Sequence, residues 1–549
     1  MTASDPEQTP SARTWAGLAV LAVGLGMIVL DGTIVGVGLP DIIRDIHLTL
    51  TDAQWVNSLY AVLLAALLLS TGRLADRWGR KRLFLVGVGV FVLGSALASG
   101  ASAAGPLIGA RAVQAVGAAL IMPSTLSTVN AVFRGRNRAV AFGVWGAVIS
   151  GAAAIGPLAG GALTQWASWH WIFLVNLPLG VLVFIAGLLL VPETRGTKGI
   201  RPGVDVDGAL LSGIGFGALV FAVIEGPDLG WWTPKTDLVL FGWVWPSTAP
   251  ISAVPVAAAI AVVAIALFVR WENHRERVER SALLDLRLFT LPTFSWGNVT
   301  AAMVAVGEFA IIFVLPLYLI NVLALDVLGA GVVLAAMALG AFASGAAARH
   351  LAARFGAPGT VLIGLTMEVA GAAVLALIMQ ATTPAWAIAI PLVVYGLGLG
   401  LASAQLTGTV LRDVPVGISG QGSAAQSTVR QIGSALGTAF AGAALSVTLS
   451  LTLPTALGAV GVTGSAADQL TSAARQSAGT SIAQLRAQGA ASPLGAQTMD
   501  AVGALSRGFT EGVRWSLLIA VAFLLLGLLG AAMLRRAATR TERVQAVPA

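Results

Sequence analysis

The sequence predicts an all-α integral membrane protein with fourteen transmembrane helices. Of its 549 residues, 57% are hydrophobic and only 10% are charged, whereas a soluble domain carries about 25% charged residues. The apolar residues lie in long stretches, and about 20 such residues cross a hydrocarbon layer of roughly 30 Å as a helix. These observations exclude a soluble enzyme, a disordered chain and a nucleic-acid-binding protein.

Fourteen stretches of the sequence have the required length and apolar character. They are 15–37, 52–71, 83–101, 106–130, 139–164, 172–191, 208–226, 251–270, 294–321, 327–348, 360–380, 386–406, 422–447 and 513–534. Because this number is even, both chain termini are expected on the same side of the membrane.

The basic residues orient the chain in the membrane. Of 32 Lys and Arg residues, 24 lie in termini and loops on the side of the termini, and five lie on the other side. Since cytoplasmic loops collect Lys and Arg, both termini are expected in the cytoplasm of a multi-pass cell-membrane protein. The net charge of +7 therefore reflects topology, with anionic membrane lipids as its expected contact. The first span is longer than a signal-peptide core and is expected to remain uncleaved.

An internal repeat links the two ends of the chain. Residues 74–87 align with residues 351–364 at an offset of 277, with six identities in fourteen positions. The same offset carries three glycines of span five onto three glycines of span thirteen. Parallel repeats of this kind are one plan of secondary transporters, with the substrate site at the interface of the two halves.

The repeat predicts three parts of the chain. They are an N-terminal six-helix bundle over 1–192, an inserted helix pair with flanking loops over 193–292, and a C-terminal six-helix bundle over 293–549. A polar linker is expected at 192–207. The C-terminal part includes a long extracellular loop, 448–511, within which a surface helix is expected near 466–488.

The loop between spans two and three carries the string GRLADRWGRKR. Its glycines, Gly72 and Gly79, permit a tight turn between helices, and Asp76 can cap a helix or pair with an arginine such as Arg77 or Arg80. Such a pairing suits a gate that locks. The string resembles the signature loop of the major facilitator superfamily, and the resemblance extends over essentially the whole chain.

Further strings resemble the drug:proton antiporter branch of that superfamily, whose members have fourteen spans. The span-one string LDGTIVGVGLP contains Asp31, with Gly36 where the family usually has asparagine. The span-four string RAVQAVGAA begins at Arg111 and includes Gln114, and the span-five string GPLAGG resembles the antiporter motif. The resemblance implies a major-facilitator-type fold of two six-helix bundles plus two inserted helices. It also implies proton-driven export of hydrophobic, often cationic, compounds.

Ionisable residues inside the spans are candidates for proton coupling, because each charge costs at least about 2.5–3.5 kcal/mol at the bilayer centre. We assign this role to Asp31, Arg111 and Glu308, with static ion pairs as the alternative. Arginine keeps its proton, so Arg111 can only modulate an acid or hold a gate. Glu368 is interpreted instead as packing against an inter-helix polar group, and Arg430 as a structural pair.

The GPLAGG string places small residues on one helix face at Gly156, Pro157, Gly160 and Gly161. Small residues let helices approach closely, and proline loosens the backbone ladder of hydrogen bonds. We interpret this face as a conformational hinge that contributes to gating, with ordinary glycine packing as the alternative.

The expected substrate cavity lies between the two bundles. Its candidate residues combine aromatic, flexible and polar groups, with ordinary helix packing as the alternative for each. They are Tyr60, Gln114, Met122, Trp145, Glu308, Phe309 and Tyr318. Aromatic groups suit a hydrophobic ligand, and Glu308 suits a cation.

The energy source is expected to be an ion gradient. None of the three lysines follows a glycine, so the chain has no P-loop of the form G-K-[ST]. With no cysteine and four histidines, no metal or cofactor is expected. We predict a transporter, not an enzyme, that exchanges protons for hydrophobic small molecules, cations included, by alternating access as a monomer. The alternatives are an exporter of one metabolite or lipid-like compound, an uptake symporter on the same fold, or a scramblase or channel.

Overall fold

In the computed structural model the chain is a bundle of long helices. The structure describes residues 11–133, 135–195, 205–240, 242–415 and 418–545. Within these ranges the described side chains exclude those at 130, 135–136, 138–139, 142–143, 145–147, 149–150, 240, 419 and 541–545. The polar linker expected at 192–207 lies mostly outside the described residues.

The described α-helices follow one another with short connections. They are α1 (Ala12–Asp45), α2 (Leu50–Trp78), α3 (Arg80–Ser99), α4 (Ala104–Val132), α5 (Gly135–Trp166), α6 (Trp171–Leu174), α7 (Asn176–Leu190), α8 (Val206–Leu229), α9 (Ala253–Arg277), α10 (Pro292–Asn321), α11 (Val327–Phe355), α12 (Ala357–Ile378), α13 (Ala385–Val410), α14 (Ser419–Gly458), α15 (Ser465–Gln476), α16 (Thr480–Gln488) and α17 (Thr498–Gln545). Single 3-10 turns cover Leu286–Thr290, Gly489–Ala491 and Gly495–Gln497. Strands β1 (Leu238–Leu240) and β2 (Trp243–Trp245) form an antiparallel hairpin that the sequence analysis missed.

The prediction of an all-α membrane protein is confirmed. Among the described residues, 13 helical segments are long and apolar enough to cross a membrane, and they coincide with thirteen predicted spans. The remaining predicted span, 139–164, lies within the 32-residue helix α5. Predicted span 172–191 divides into α6 and α7, so that Asn176 begins α7.

The helices pack as two similar sets. In the first set α1 packs on α5 and α7, while α2 and α3 pack on α4; in the second, α10 packs on α14 and α17, while α11 and α12 pack on α13. Two helix pairs join the sets, α5 with α11 and α2 with α14. If α1–α5 correspond to α10–α14, these two pairs are equivalent to each other, as a twofold-related pair of halves requires.

Equivalent glycines make equivalent helix crossings in the two sets. A Cβ atom on Gly94 of α3 would lie 2.6 Å from the backbone nitrogen of Gln114 in α4. A Cβ atom on Gly371 of α12, which is 277 residues further along the chain, would lie 2.6 Å from the backbone nitrogen of Tyr395 in α13. The sequence repeat is therefore also a repeat of backbone contacts.

The inserted helices α8 and α9 pack on each other, and α8 also packs on α2 and α14. Arg73 of α2 donates a hydrogen bond to the hydroxyl of Ser281, just after α9. Beside it, Arg275 of α9 and Asp205 at the start of α8 form a buried ion pair with 3.2 Å between Nε and Oδ2. The basic end of α2 is thereby tied to the inserted pair.

We call the side of the membrane where α1 begins, and where α2 ends in the GRLADRWGRKR string, the basic side, and the other the opposite side. On the opposite side α14 and α17 run far beyond their predicted spans, to lengths of 40 and 48 residues. The loop predicted at 448–511 is therefore shorter, 459–497, and contains α15 and α16. Hydropathy falls after residue 447, but alanine, leucine and glutamine continue, and these residues favour helix.

Replacing Gly396 by alanine is expected to destabilise the protein by about 1–3 kcal/mol, because the added methyl group would overlap the carbonyl oxygen of Met337 in α11. Gly408 lies on the same helix, and a Cβ atom there would have no heavy atom of another side chain or helix within 4 Å. Gly408→Ala is therefore the matched control, with an unchanged or raised thermal midpoint. Thermal unfolding of the purified protein in detergent measures both; equal midpoints would contradict the close α11–α13 crossing.

Candidate functional site

Polar side chains from five helices of the first set meet in one buried group, which we call the Asp31 cluster. Its members are Asp31 of α1, Tyr60 of α2, Ser95 of α3, Arg111 and Gln114 of α4, and Asn176 of α7. Asp31 and Arg111 form an ion pair, with side chains 0% and 1% exposed. Two of the three residues assigned to proton coupling are thus in direct contact.

The carboxylate of Asp31 accepts hydrogen bonds on both oxygens. Arg111 donates to Oδ2. The side-chain amides of Gln114 and Asn176 each donate to Oδ1, both at 3.0 Å. A buried carboxylate with this many donors is well compensated for its loss of water.

Arg111 is held from several directions at once. Its Nη1 also donates to Oε1 of Gln114 at 2.8 Å, and its Nε donates to the carbonyl oxygen of Val56 at 3.3 Å. The guanidinium lies 4.3 Å from the centre of the Tyr60 ring, a cation–π contact. Since arginine keeps its proton, Asp31 is the member of the pair whose charge can change.

The sequence analysis missed Ser95 and Asn176 as members of this cluster. Ser95 accepts from Gln114 at 2.8 Å, and Asn176 donates to Asp31. The available signal was a lone polar residue at membrane depth in spans three and six. Tyr60 and Gln114, expected in the substrate cavity, belong to the Asp31 cluster instead.

A second group of ionisable side chains, the Glu308 cluster, lies in the second set of helices. It comprises Glu308 of α10, Glu368 of α12, Tyr395 of α13 and Arg430 of α14. Glu308 follows Asp31 by 277 residues, the offset of the repeat. The two acids therefore occupy equivalent positions on equivalent helices.

The contacts of the Glu308 cluster are much looser than those of the Asp31 cluster. Nη2 of Arg430 lies 4.0 Å from Oε2 of Glu308, and their side chains are 47% and 18% exposed. Glu368 is 0% exposed, and neither of its carboxyl oxygens has a hydrogen-bond partner among the described residues. The buried hydroxyl of Tyr395 also lacks a partner in that part of the chain.

Two interpretations from the sequence are corrected by this geometry. Glu368 was expected to pack against a polar group, but the described residues offer it no hydrogen bond. Arg430 was expected to form a structural pair, yet its one ion pair with Glu308 is long and half exposed. Hydropathy gives the depth of such residues, but the partner depends on the rotation of each helix.

The turn between α2 and α3 is made by one glycine. Gly79 has a φ of 112°, which glycine adopts readily, and it separates the two helices. Oδ1 of Asp76 accepts from Nε and Nη2 of Arg80 at 2.9 and 2.7 Å. The prediction that Gly72 also forms the turn is wrong, because α2 continues through it to Trp78.

The turn is fastened to the chain that follows α7. Thr194 accepts from the backbone nitrogen of Arg80 at 3.0 Å, and a carboxyl oxygen of Glu193 accepts from the backbone nitrogen of Lys81 at 3.2 Å. A Cβ atom on Gly79 would lie 2.5 Å from that same oxygen of Glu193. Arg77 lies on the surface beside it and lines a shallow hollow of about 430 Å³.

The small residues of α5 make two close crossings. Toward α1, a Cβ atom on Gly156 would overlap the hydroxyl of Thr33, and one on Gly160 would lie 2.8 Å from the carbonyl oxygen of Ile34. This crossing is about one turn beyond Asp31. The helix that carries the buried acid therefore packs directly against the glycine face.

The other crossing of α5 joins the two sets of helices. A Cβ atom on Gly161 would lie 2.9 Å from the carbonyl oxygen of Val327, at the start of α11. A Cβ atom on Gly331 would lie 2.5 Å from the carbonyl oxygen of Pro157. The opposite-side ends of α5 and α11 are thus in backbone contact.

The remaining residues expected in the cavity divide into three cases. Met122 and Phe309 are half-buried. Tyr318 is fully buried, and its hydroxyl donates to the carbonyl oxygen of Gln380, so it packs between helices instead of lining a cavity. The side chain of Trp145 lies outside the described residues.

Long apolar helices in two similar sets, each with ionisable groups at membrane depth, define a multi-pass membrane transporter. The family model of the Major Facilitator Superfamily matches residues 21–438. The chain belongs to the Major Facilitator Superfamily, and it is accordingly a transporter of small molecules and not an enzyme.

Several curated relatives cover most of this chain. Multidrug resistance protein Stp of Mycobacterium tuberculosis is 33% identical over 79% of this chain and 77% of its own length. The tetracenomycin C resistance and export protein of Streptomyces glaucescens is 29% identical over 80% of this chain and 77% of its own. Multidrug efflux pump LfrA of Mycolicibacterium smegmatis is 32% identical over 79% and 82%.

The fold also resembles solved transporter structures. A bacterial homolog to the human lysosomal transporter Spinster, in an inward-facing and unoccupied conformation, superimposes with a TM-score of 0.60. The alignment covers 96% of this chain and 99% of that chain at 16% identity. At this identity the likeness concerns the fold alone.

Replacing Arg111 by methionine is expected to destabilise the protein by about 3–5 kcal/mol, because Asp31 would remain as a buried, uncompensated charge. Adding Asp31→Asn to this variant removes that charge and should restore much of the stability. Thermal unfolding in detergent measures both variants. Arg475→Met, which breaks a partly exposed pair with Asp228, is the control and should cost at most about 1 kcal/mol. Equal losses for both arginines would contradict the special role of burial.

Proposed function

We propose that the chain exports hydrophobic small molecules, cations among them, across the cell membrane in exchange for protons. The observation that carries this proposal is the buried ion pair of Asp31 and Arg111 at membrane depth. The names of three relatives, which refer to multidrug resistance, multidrug efflux and tetracenomycin C resistance and export, support the choice of substrate class.

Protonation of Asp31 is the proposed coupling step. A neutral Asp31 loses most of its attraction to Arg111, whose contacts with Val56 and Tyr60 keep it on α2 and α4. α1 then becomes free to move along its glycine crossing with α5. The proton gradient thus acts on the position of α1.

Glu308 is the proposed counter-charge for a cationic substrate and the second coupling residue. It lies about 24 Å along α10 from Pro292, at 1.5 Å per residue, and so near the middle of the membrane. Its pair with Arg430 is long, at 4.0 Å, and a cation can displace it at small cost. Met122 and Phe309 provide apolar contact in the proposed cavity.

Alternating access follows from the two sets of helices, which we take as bundles over 1–192 and 293–549, joined by the inserted part 193–292. Positive residues place the basic side, with both termini, in the cytoplasm. Arg430 lies about 16 Å along α14 from its first residue, yet it is 47% exposed. A guanidinium at such depth faces water and not lipid, which indicates a cavity open to the basic side.

The gate and hinge are assigned from the same contacts. Asp76 and Arg80 lock the turn at Gly79 while the basic side is closed, with Gly72 and Arg77 as neighbours on α2. Gly156, Pro157, Gly160 and Gly161 form the hinge face, because they contact both α1 and α11. Anionic lipids contact the basic loops, and the transporting unit is a monomer.

Ethidium, a fluorescent hydrophobic cation, provides a direct test in everted membrane vesicles with an imposed proton gradient. Adding it should release protons stored in vesicles that contain the protein. Asp31→Asn should abolish the release, and Glu308→Gln should weaken it more for ethidium than for neutral chloramphenicol. A pH-sensitive dye measures proton movement. Ethidium uptake that needs no proton gradient would overturn the proposal.

Closure of the opposite side should depend on Gly161. The chain has no cysteine, so Gln54→Cys can report on the seam between α2 and α14, where Gln54 is 1% exposed. Adding Gly161→Leu should make this cysteine react several-fold faster with a membrane-impermeant maleimide in right-side-out vesicles. Gly151→Leu, on the same helix but with open space around it, is the control. Equal rates in both would mean that the α5–α11 crossing does not set the conformation.

A further inference from the structure

We propose that Glu368 is a second proton-binding site, in the C-terminal half, which exchanges its proton through Glu308 and gives it up when a cation binds there. The inference rests on the proposed proton coupling. It assigns a transport role to a residue that the Asp31–Arg111 mechanism does not use, and it names Tyr395 as the hydrogen-bond donor of the site.

The first argument is the environment of the Glu368 carboxyl group. The side chain is 0% exposed, and both oxygens lack a hydrogen bond within the described part of the chain. An isolated carboxylate in such surroundings costs several kcal/mol even after relaxation, so it takes up a proton. The structure therefore fits the neutral, proton-carrying form of this group.

The second argument is what faces Glu368 from the neighbouring helices. Glu308 and Arg430 lie within electrostatic reach of it, and both acids interact with Tyr395. Charges on the other packed helices lie elsewhere: Glu511 and Arg514 of α17 pair with each other, and Arg514 binds the carbonyl oxygen of Ala376, two turns beyond Glu368. Those of α11 are exposed near its basic-side end; they are Arg349, His350 and Arg354.

The third argument is a graded path to water. The exposed fraction falls from 47% at Arg430 to 18% at Glu308, and to 0% at Glu368. Oε2 of Glu308 has no hydrogen bond among the described residues, so it can take up a proton that leaves Glu368. Water in the cavity then removes the proton on the basic side.

The charges balance in this exchange. Before binding, one carboxylate on Glu308 opposes the one cation Arg430, and Glu368 is neutral. A cationic substrate adds one positive charge at Glu308, which stabilises a second carboxylate, so that Glu368 releases its proton and accepts a hydrogen bond from the Tyr395 hydroxyl. One cation enters as one proton leaves, with no net change in the charge of the cluster.

The fourth argument is that the fold does not require an acid at this position. The residue 277 positions before Glu368 is Phe91, which is fully buried in α3. The equivalent place in the first half is therefore apolar. The acid of α12 is an addition to the repeat, and no ion pair among the described residues explains it.

The test counts protons released when ethidium binds to purified protein in weakly buffered detergent solution, with a pH indicator. Glu368→Gln should release about one proton fewer per ethidium bound than the unmodified protein. Its thermal midpoint should be unchanged, because glutamine resembles the neutral carboxyl group. The matched control is Glu225→Gln; Glu225 accepts a hydrogen bond from Trp55 at 2.8 Å and lies outside both clusters. It should release as many protons as the unmodified protein.

Infrared difference spectra on ethidium binding supply a second measurement. The loss of a protonated carboxyl band is expected in the unmodified protein and should be absent in Glu368→Gln. Equal proton counts in the two proteins would overturn the inference, as would a glutamine variant that fails to fold, because a charged Glu368 would then be needed. If the unmodified protein releases no protons at all, the proposed antiport itself fails.

Discussion

The buried ion pair of Asp31 and Arg111 is the interaction on which the arrangement of the N-terminal half depends. Two charges in hydrocarbon are tolerated only when their geometry is close and their remaining polar atoms are satisfied. Here α3, α4 and α7 supply hydrogen bonds for the pair or its amide partners, and α2 contributes a carbonyl and a ring. None of these helices can rotate far without leaving part of the pair unsatisfied. A change in the charge of Asp31 consequently affects all five helices at once.

The two halves share backbone contacts but not electrostatics. Glycines 277 residues apart make the same crossings, and Asp31 and Glu308 occupy equivalent positions. Asp31 is enclosed and fully hydrogen-bonded, whereas Glu308 is partly exposed, 4.0 Å from Arg430, and close to an acid without a hydrogen bond among the described residues. The repeat thus provides the scaffold, while the substitutions within it make one half tightly paired and the other responsive to ligands.

The sequence predicted those features that depend on local composition. Hydropathy located the spans, and the fixed offset located the repeat, because both are properties of contiguous residues. It did not predict the roles of Asn176 and Glu368, because these depend on how far each helix is rotated about its axis. The loop beyond residue 447 was misjudged for another reason: hydropathy detects membrane and not helix, and α14 continues as helix after its apolar run ends.

The inserted helices show how two rocking halves can stay sealed at one seam. On the basic side their polar anchor is to α2, through Arg73 and Ser281, while α8 meets α14 through apolar contacts around Ala435 and Ala439. On the opposite side Asp228 of α8 binds both Thr51 of α2 and Arg475 of α15. Opening the basic side leaves these bonds intact, but opening the opposite side must separate Asp228 from Arg475. That pair is partly exposed, and such pairs contribute little to stability, so the opposite side can open without a large barrier from this contact.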